Sequence, residues 1–382
     1  MSSLKKNLLL IFLLENLVVS SLFGFGSWFF YLILLVGMFF LLRRELWHRT
    51  TFNQCKILYV LSYIYIGYQF TLGYGNLDVQ RIIYLFARVT TFIIIIISVT
   101  HDLNFNTYKV PLYMSLVILF VLLTGALETN DLNSGDRIKM GFGNVNLTGS
   151  LSAICLSGVM FFWNRRQRVL YIMYAILSLY ALLASGSRNG ILYLAIMMFV
   201  WTKLSVKRIL YALIIVLTIL LSINLLSIKL SGVERIIATV EGSEGTSRDT
   251  ERLATMMMIA EKPITGWGFE AENEGAAAMV SELGSHNGYL EQIKFMGYPF
   301  AILWFMALLC GIIPLLKYIR SDNNALRYHL AIVLSTLATA CFEGWFTGVH
   351  QINTNIFYYS LAILTVHNYR ANNFTKFDVN PT

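Results

Sequence analysis

Apolar runs about one bilayer long recur along nearly the whole chain, and this feature sets its fold class. They lie at 7–23, 27–42, 57–73, 81–99, 110–127, 145–163, 169–184, 189–204, 209–228, 288–316, 327–345 and 353–369. A helix needs about 20 apolar residues to cross hydrocarbon, where no water is present to satisfy backbone N–H and C=O groups. Composition agrees with this reading. Hydrophobic residues make up 57% of the 382 and charged residues only 13%, against about 25% charged in soluble domains. A water-soluble globule, a disordered chain and a disulfide scaffold are excluded. The expectation is an all-α polytopic membrane protein of about 12 transmembrane helices. It forms a single integral membrane domain over 1–382, with one long loop at 229–287.

The charges orient it. The formal net charge of +8 comes from 29 Lys and Arg against 21 Asp and Glu. In so apolar a chain this excess reads as membrane topology rather than a nucleic-acid surface, because short cytoplasmic loops collect Lys and Arg. With the N-terminus inside, 18 of the 29 basic residues fall on cytoplasmic segments and nine outside, while Arg88 and Lys294 lie within spans. Both termini are then expected in the cytoplasm. Lys5 and Lys6 precede an apolar run as in a signal peptide, but no small-x-small cleavage site follows, so the run is read as a retained helix.

The long 229–287 loop is placed outside. Thr246 or Ser247 caps a helix in it, an apolar stripe of Leu253, Met256, Met257 and Ala260 runs along one face, and Pro263 ends it. Arg248 and Arg252, four apart, share the opposite face. A second short helix is expected at about 271–283. Arginines on an outer face run against the topological bias, and Arg137, Arg188, Arg248 and Arg252 all do so. A guanidinium fork binds phosphate at two points, so several together suit a lipid-linked diphosphate. Headgroup contact, or pairing with Glu241, Glu244 and Glu251, is the plainer alternative. Arg188 sits in Ser185-Gly186-Ser187-Arg188-Asn189-Gly190, a small-residue turn that lets amides approach an anion.

His286 lies where the loop re-enters the membrane. A histidine near neutral pKa can take a proton from a hydroxyl; the plain alternative is a structural role. His350 is the other histidine placed outside. Glu15 and Arg88, costly within the bilayer, are functional candidates and potential partners of each other. Glu343, near the outer end of the eleventh span, is expected to orient a basic residue or a sugar hydroxyl, and Trp345 to anchor at the interface. Cys55, Cys155, Cys310 and Cys341 are scattered as packing residues, and no spacing in the chain points to a metal.

Taken in order, these motifs resemble the O-antigen ligase/polymerase family. The likeness runs from Arg137 and Gly141-Phe142-Gly143-Asn144-Val145-Asn146, through Ser187-Arg188-Asn189-Gly190, to Ser247-Arg248. It continues through Lys262-Pro263-Ile264-Thr265-Gly266-Trp267-Gly268, then His286-Asn287-Gly288-Tyr289-Leu290 and Gly297. Val145 stands where the family usually has proline. The resemblance implies a GT-C-type membrane glycosyltransferase that needs neither metal nor nucleotide. Such an enzyme moves a glycan from undecaprenyl diphosphate to a sugar hydroxyl at the outer leaflet of the bacterial cytoplasmic membrane. It assigns the diphosphate to Arg188 and Arg248 and the catalytic base to His286; Asn287, Glu343 and Arg88, singled out by their position in the chain, are expected to support them. No cofactor is expected. Expected partners are the lipid-linked oligosaccharide, membrane lipids, a chain-length regulator and a flippase. A repeat-unit polymerase for capsule, exopolysaccharide or O-antigen is the leading reading, with an O-antigen ligase acting on the lipid A core as its nearest rival. A flippase is disfavoured because internal repeats are absent and the polar candidates gather in one loop.

Overall fold

In a computed structural model of the chain, the described residues are 32, 34–36, 49–76, 78–128, 139, 142, 144–162, 168–203, 205, 207, 248–269, 271–281, 285–349 and 351–374. They are helical, with no strand among them. The helices are α1 (Arg49–Gln54), α2 (Lys56–Phe70), α3 (Val79–His101), α4 (Leu103–Glu128), α5 (Val145–Phe162), α6 (Arg168–Ala184), α7 (Arg188–Trp201), α8 (Arg248–Glu261), α9 (Ala276–Val280), α10 (Gly288–Ile312), α11 (Asn324–Thr339) and α12 (Ile352–Phe374). A 3-10 turn, Ile313–Arg320, extends α10.

Among the described residues, four stretches are long and apolar enough to cross a membrane: Val79–His101, Leu103–Gly125, Val145–Phe162 and Gly288–Arg320; α6 and α7 are shorter and apolar. The protein is therefore an all-α membrane protein. The runs at 7–23 and 209–228, and most of 27–42, lie outside the described residues. So do Glu15, Arg137, His350 and the loop before Arg248. Aliphatic side chains on α6 (Val169, Leu170, Met173, Ile176) and α10 (Ile302, Leu303, Met306, Leu309) are exposed; such rows are stable where the solvent is lipid.

Three boundaries differ from the sequence expectation. The helix expected at 110–127 starts at Leu103, one residue after α3 ends, and carries Pro111 inside. The run at 327–345 is helical only to Thr339, and residues 340–349 form an irregular stretch before α12. The run at 288–316 is interrupted at Gly297, whose φ of 66° no ordinary helix contains.

That interruption is filled from the loop. The Trp267 N–H donates to Lys294 O at 2.9 Å, the Gly268 N–H to Phe295 O at 3.0 Å, and the Tyr298 N–H to Pro263 O at 2.8 Å. Carbonyls and an amide freed by the break are thus paired across two segments. A side chain at Gly266 would strike the Phe295 carbonyl, and one at Gly297 the Ile264 carbonyl. Trp267 Nε1 donates to Met258 O at 2.7 Å, and Lys262 Nζ lies 3.7 Å from the centre of its ring. The Pro-x-x-Gly-x-Gly turn therefore clamps α8 onto α10.

The clamp also fixes the rotation of α8. Its buried face is Glu251, Ala254, Thr255, Met258 and Ile259. Leu253 and Met256 of the expected apolar stripe are 52% and 49% exposed. The docked turn, through Trp267 on the Met258 carbonyl, outweighs the hydrophobic periodicity. The second loop helix is confined to Ala276–Val280.

Candidate active site

The N-terminal ends of α5, α7 and α10 meet the C-terminal end of α11 at one end of the bundle. Gly186, at φ 60°, turns the chain into α7, and Ser187 Oγ caps it by accepting the Gly190 N–H at 3.1 Å. Gly190 belongs to the helix itself. A Cβ there would lie 2.6 Å from the Gly149 carbonyl carbon, so α5 and α7 cross in backbone contact, as small residues allow between membrane helices. The crossing brings Asn146 and Asn189 side by side. Asn144 Oδ1 accepts the Asn146 N–H at 2.8 Å and so starts α5.

Both asparagines aim at one carboxylate. Glu343 Oε1 accepts from Asn146 Nδ2 and Asn189 Nδ2, each at 2.7 Å, and from Arg248 Nη2 at 3.2 Å. The Glu343 side chain is only 7% exposed, and a buried carboxylate is tolerated when charge and donors surround it in this way. Its connector is pinned in turn. The Gly288 N–H donates to Ala340 O at 2.8 Å and Glu343 O at 3.0 Å. Tyr84 Oη donates to Thr347 O at 2.6 Å.

Arg88 acts on the same connector and lines neither cavity of the site. Fully buried, it donates through Nη2 to Thr347 O at 2.7 Å and Phe346 O at 3.3 Å, boxed by the rings of Tyr84, Phe92 and Tyr358. Trp345 is buried beside Tyr193, at 4% exposure, rather than set at an interface.

His286 stands between two acids. Nδ1 is 3.6 Å from Glu343 Oε2, and Nε2 is 3.6 Å from Glu251 Oε2. Glu343 beside the ring pushes the imidazole pKa above its ordinary value, against partial burial; Glu251 adds to the rise and Arg248 opposes it. Glu251 Oε2 is buried without a hydrogen bond among the described residues. Asn287 is the N-cap of α10, accepting the N–H groups of Tyr289 at 3.0 Å and Leu290 at 3.1 Å.

Arg188, Arg248, Arg252, His286, Asn287 and Cys341 line a cavity of about 450 Å³. Arg188 and Arg248 open α7 and α8, so each helix directs its electropositive end, as well as a guanidinium, to this region. Three guanidiniums and one carboxylate, Asp249, thus line the cavity beside the imidazole. Among the described residues no group of three or more His, Cys, Asp or Glu is arranged around a metal position. The sequence reading named Glu343 but missed Asn146, Asn189 and Glu251 as its companions. Asn146 and Asn189 each lay inside a motif singled out for other residues.

Fold and site together define an all-helical membrane protein with an arginine- and histidine-lined cavity at one end of its bundle. Residues 173–305, about a third of the chain, match the family model Wzy_C, described as O-antigen ligase, and this match supports an O-antigen ligase/polymerase-family membrane protein. Members of this family are glycosyltransferase-like enzymes of O-antigen and polysaccharide biosynthesis. The matched stretch contains Arg188, Arg248, Arg252 and His286, and ends before Glu343. No curated protein matches the chain.

Proposed function

We propose that the chain is a polysaccharide repeat-unit polymerase of the bacterial cytoplasmic membrane, with both termini cytoplasmic and the arginine cavity at the outer leaflet. It transfers a glycan from undecaprenyl diphosphate to a hydroxyl of another lipid-linked repeat unit. The observation that carries this reading is the convergence of Arg188, Arg248, Arg252 and His286 on one cavity. The guanidiniums hold the donor diphosphate. As the anomeric C–O bond breaks, the bond's electron pair leaves with the lipid diphosphate, and charge grows where the arginines stand. They therefore stabilise the transition state more than the bound substrate. The acceptor oxygen attacks the opposite face of the anomeric carbon, and its proton passes to His286, giving inversion. Glu343 at Nδ1 and Glu251 at Nε2, each 3.6 Å away, together stabilise the imidazolium that forms when the ring takes this proton. Neither metal nor nucleotide enters these steps, and a GT-C-like arrangement is part of the same proposal. A flippase supplying the lipid-linked unit and a chain-length regulator are the partners it implies.

The matched description, O-antigen ligase, favours the ligase as the competing reading, with lipid A core as acceptor. Deleting the gene in its host and resolving the envelope glycans on gels decides between them. A polymerase deletion leaves single repeat units attached to their carrier, whereas bare acceptor identifies a ligase. Replacing His286 with alanine abolishes polymer while protein level is maintained; full polymer from H286A removes the base assignment.

A further inference from the structure

A second cavity, of about 350 Å³, adjoins the first through Ser285 and His286, which line both. Its character is opposite. Asn144, Glu291, Glu343, Thr347 and Gln351 line it, and among its described lining residues there is neither arginine nor lysine. Glu291 is the new element. It faces the cavity from the first turn of α10, and Thr347 Oγ1 donates to its Oε2 at 2.6 Å. Gly344 leaves the space for it, since a Cβ there would lie 2.6 Å from the same oxygen. Glu343 belongs to this side as well, and its Oε2 faces His286 Nδ1.

Two carboxylates, a carboxamide pair and a hydroxyl around one hollow accept and donate hydrogen bonds to neutral hydroxyls. Glu343 is offset by Arg248 on its other oxygen, so Glu291 supplies the like-charge repulsion against phosphate and carboxylate groups. We propose that this second cavity receives the acceptor glycan, and that it selects a terminal sugar presenting free hydroxyls and no negative charge, with Glu291 as a specificity-determining contact. This rests on the polymerase reading of the first cavity. An acceptor hydroxyl seated here reaches the Nδ1 edge of His286 from the side opposite Glu251, while the acceptor's own lipid diphosphate stays outside the acidic hollow. The two cavities thereby sort two substrates that share the same carrier: diphosphate into the arginines, sugar into the carboxylates.

The test uses the purified full chain in lipid vesicles with the host's lipid-linked repeat unit, measuring polymer and released lipid diphosphate separately. Glu291→Gln is expected to lower polymer formed per lipid diphosphate released about ten-fold, because the donor is diverted to water. Thr347→Val, which keeps the side-chain shape and frees Glu291, moves the ratio the same way by about three-fold, and serves if E291Q folds poorly. Arg188→Ala lowers both products together and leaves the ratio unchanged. Repeat units whose primary hydroxyls have been oxidised to carboxylates enter the polymer at least about ten-fold more slowly. An unchanged ratio in folded E291Q and T347V, or equal entry of the oxidised units, overturns the acceptor assignment. Undiminished lipid diphosphate release by R188A, or none by the unaltered protein, overturns the donor reading on which it stands.

Discussion

The two ends of the helical bundle carry charge in opposite ways. At the end near Trp201, Lys203 Nζ meets Asp322 at 2.5 Å, with side chains 28% and 99% exposed. Arg327, itself 5% exposed, donates to the Trp201 carbonyl at 2.8 Å. These contacts join α7 to the start of α11, and water reaches the ion pair freely. At the other end Glu343 is buried, four residues from α5, α7, α8 and the α10 entry converge on it, Arg248 among them as its ion-pair partner, and the cluster borders two cavities. Charge that only fastens loops can stay in solvent. Charge that must face a substrate is taken out of solvent and held by dipoles arranged beforehand, which is costly for the fold and useful for chemistry.

The strongest way to break this contrast is Glu343→Ala. Removing the carboxylate leaves Asn146 and Asn189 without their shared acceptor and Arg248, 32% exposed, without its ion pair, a loss of about 2–3 kcal/mol carried mostly by the buried hydrogen bonds. Both folded yield in membranes and transfer should collapse. Glu343→Gln retains the fold better, because an amide oxygen still accepts. A stable, active E343A would show that the buried end is no more dependent on its charge than the exposed one.

Arg188→Ala comes next. It is expected to leave the fold intact and reduce transfer about 10²–10³-fold, the scale for removing one preorganised donor to developing negative charge. Arg188→Lys recovers only part of this, since an ammonium cannot supply the planar fork. Single-turnover rates on lipid-linked donor measure both. Gly297→Ala probes the scaffold under the same end. A Cβ at positive φ, against the Ile264 carbonyl, is expected to cost about 1–3 kcal/mol. It should loosen the 263–268 turn from α10, which protease accessibility of that turn reports.

How much of this was readable beforehand follows from what sets each feature. The membrane helices were legible because length and apolarity decide them almost alone; α3 and α5 fall on their expected runs within a few residues. The extent of α8 was legible from Pro263 and the cap positions, but its rotation was not. Leu253 and Met256 look like a core stripe until the Trp267 clamp turns the other face inward. Arg188, Arg248 and His286 stood out because each is an unusual residue in its local setting. Glu343 was noticed but extended into a helix, because nothing local reveals that Arg88, 255 positions earlier in the chain, takes up its connector's carbonyls. Asn146 and Asn189 meet Glu343 across 197 and 154 positions, and such a meeting is a property of the crossing at Gly149 and Gly190, invisible to any window of sequence.

A subtler effect should appear in pH dependence. Glu343 and Glu251 raise the His286 pKa above the ordinary histidine value. A base must be neutral, so transfer should rise with pH through that elevated value. Glu251→Gln removes one of the charges holding the proton, and the acid limb should move to lower pH with a smaller change in the plateau rate. The linked stability has the opposite sense. The contribution of protonated His286 is fully present below its unfolded value, about 6.5, and is lost as pH rises through the higher folded value. E251Q should therefore flatten the melting temperature against pH over that interval. A pH profile unmoved in E251Q would mean that Nε2 does not feel Glu251.

The smallest effect belongs to the opposite end. Lys203→Ala and Asp322→Ala each delete half of a close ion pair, yet Asp322 is almost wholly in solvent. Exposed pairs contribute little, because water and salt already screen the charges and ordering two side chains costs entropy. Both variants, and the double variant, should match the unaltered protein in melting midpoint, and raising the salt concentration should change nothing further. Transfer should also be unaffected, because the pair lies at the far end of α7 from Arg188 and Asn189. If D322A instead slowed transfer, the end of α7 at Trp201 would be coupled to its beginning. The two ends would then have to be treated as one mechanical unit, with α7 transmitting between the exposed charge and the buried one.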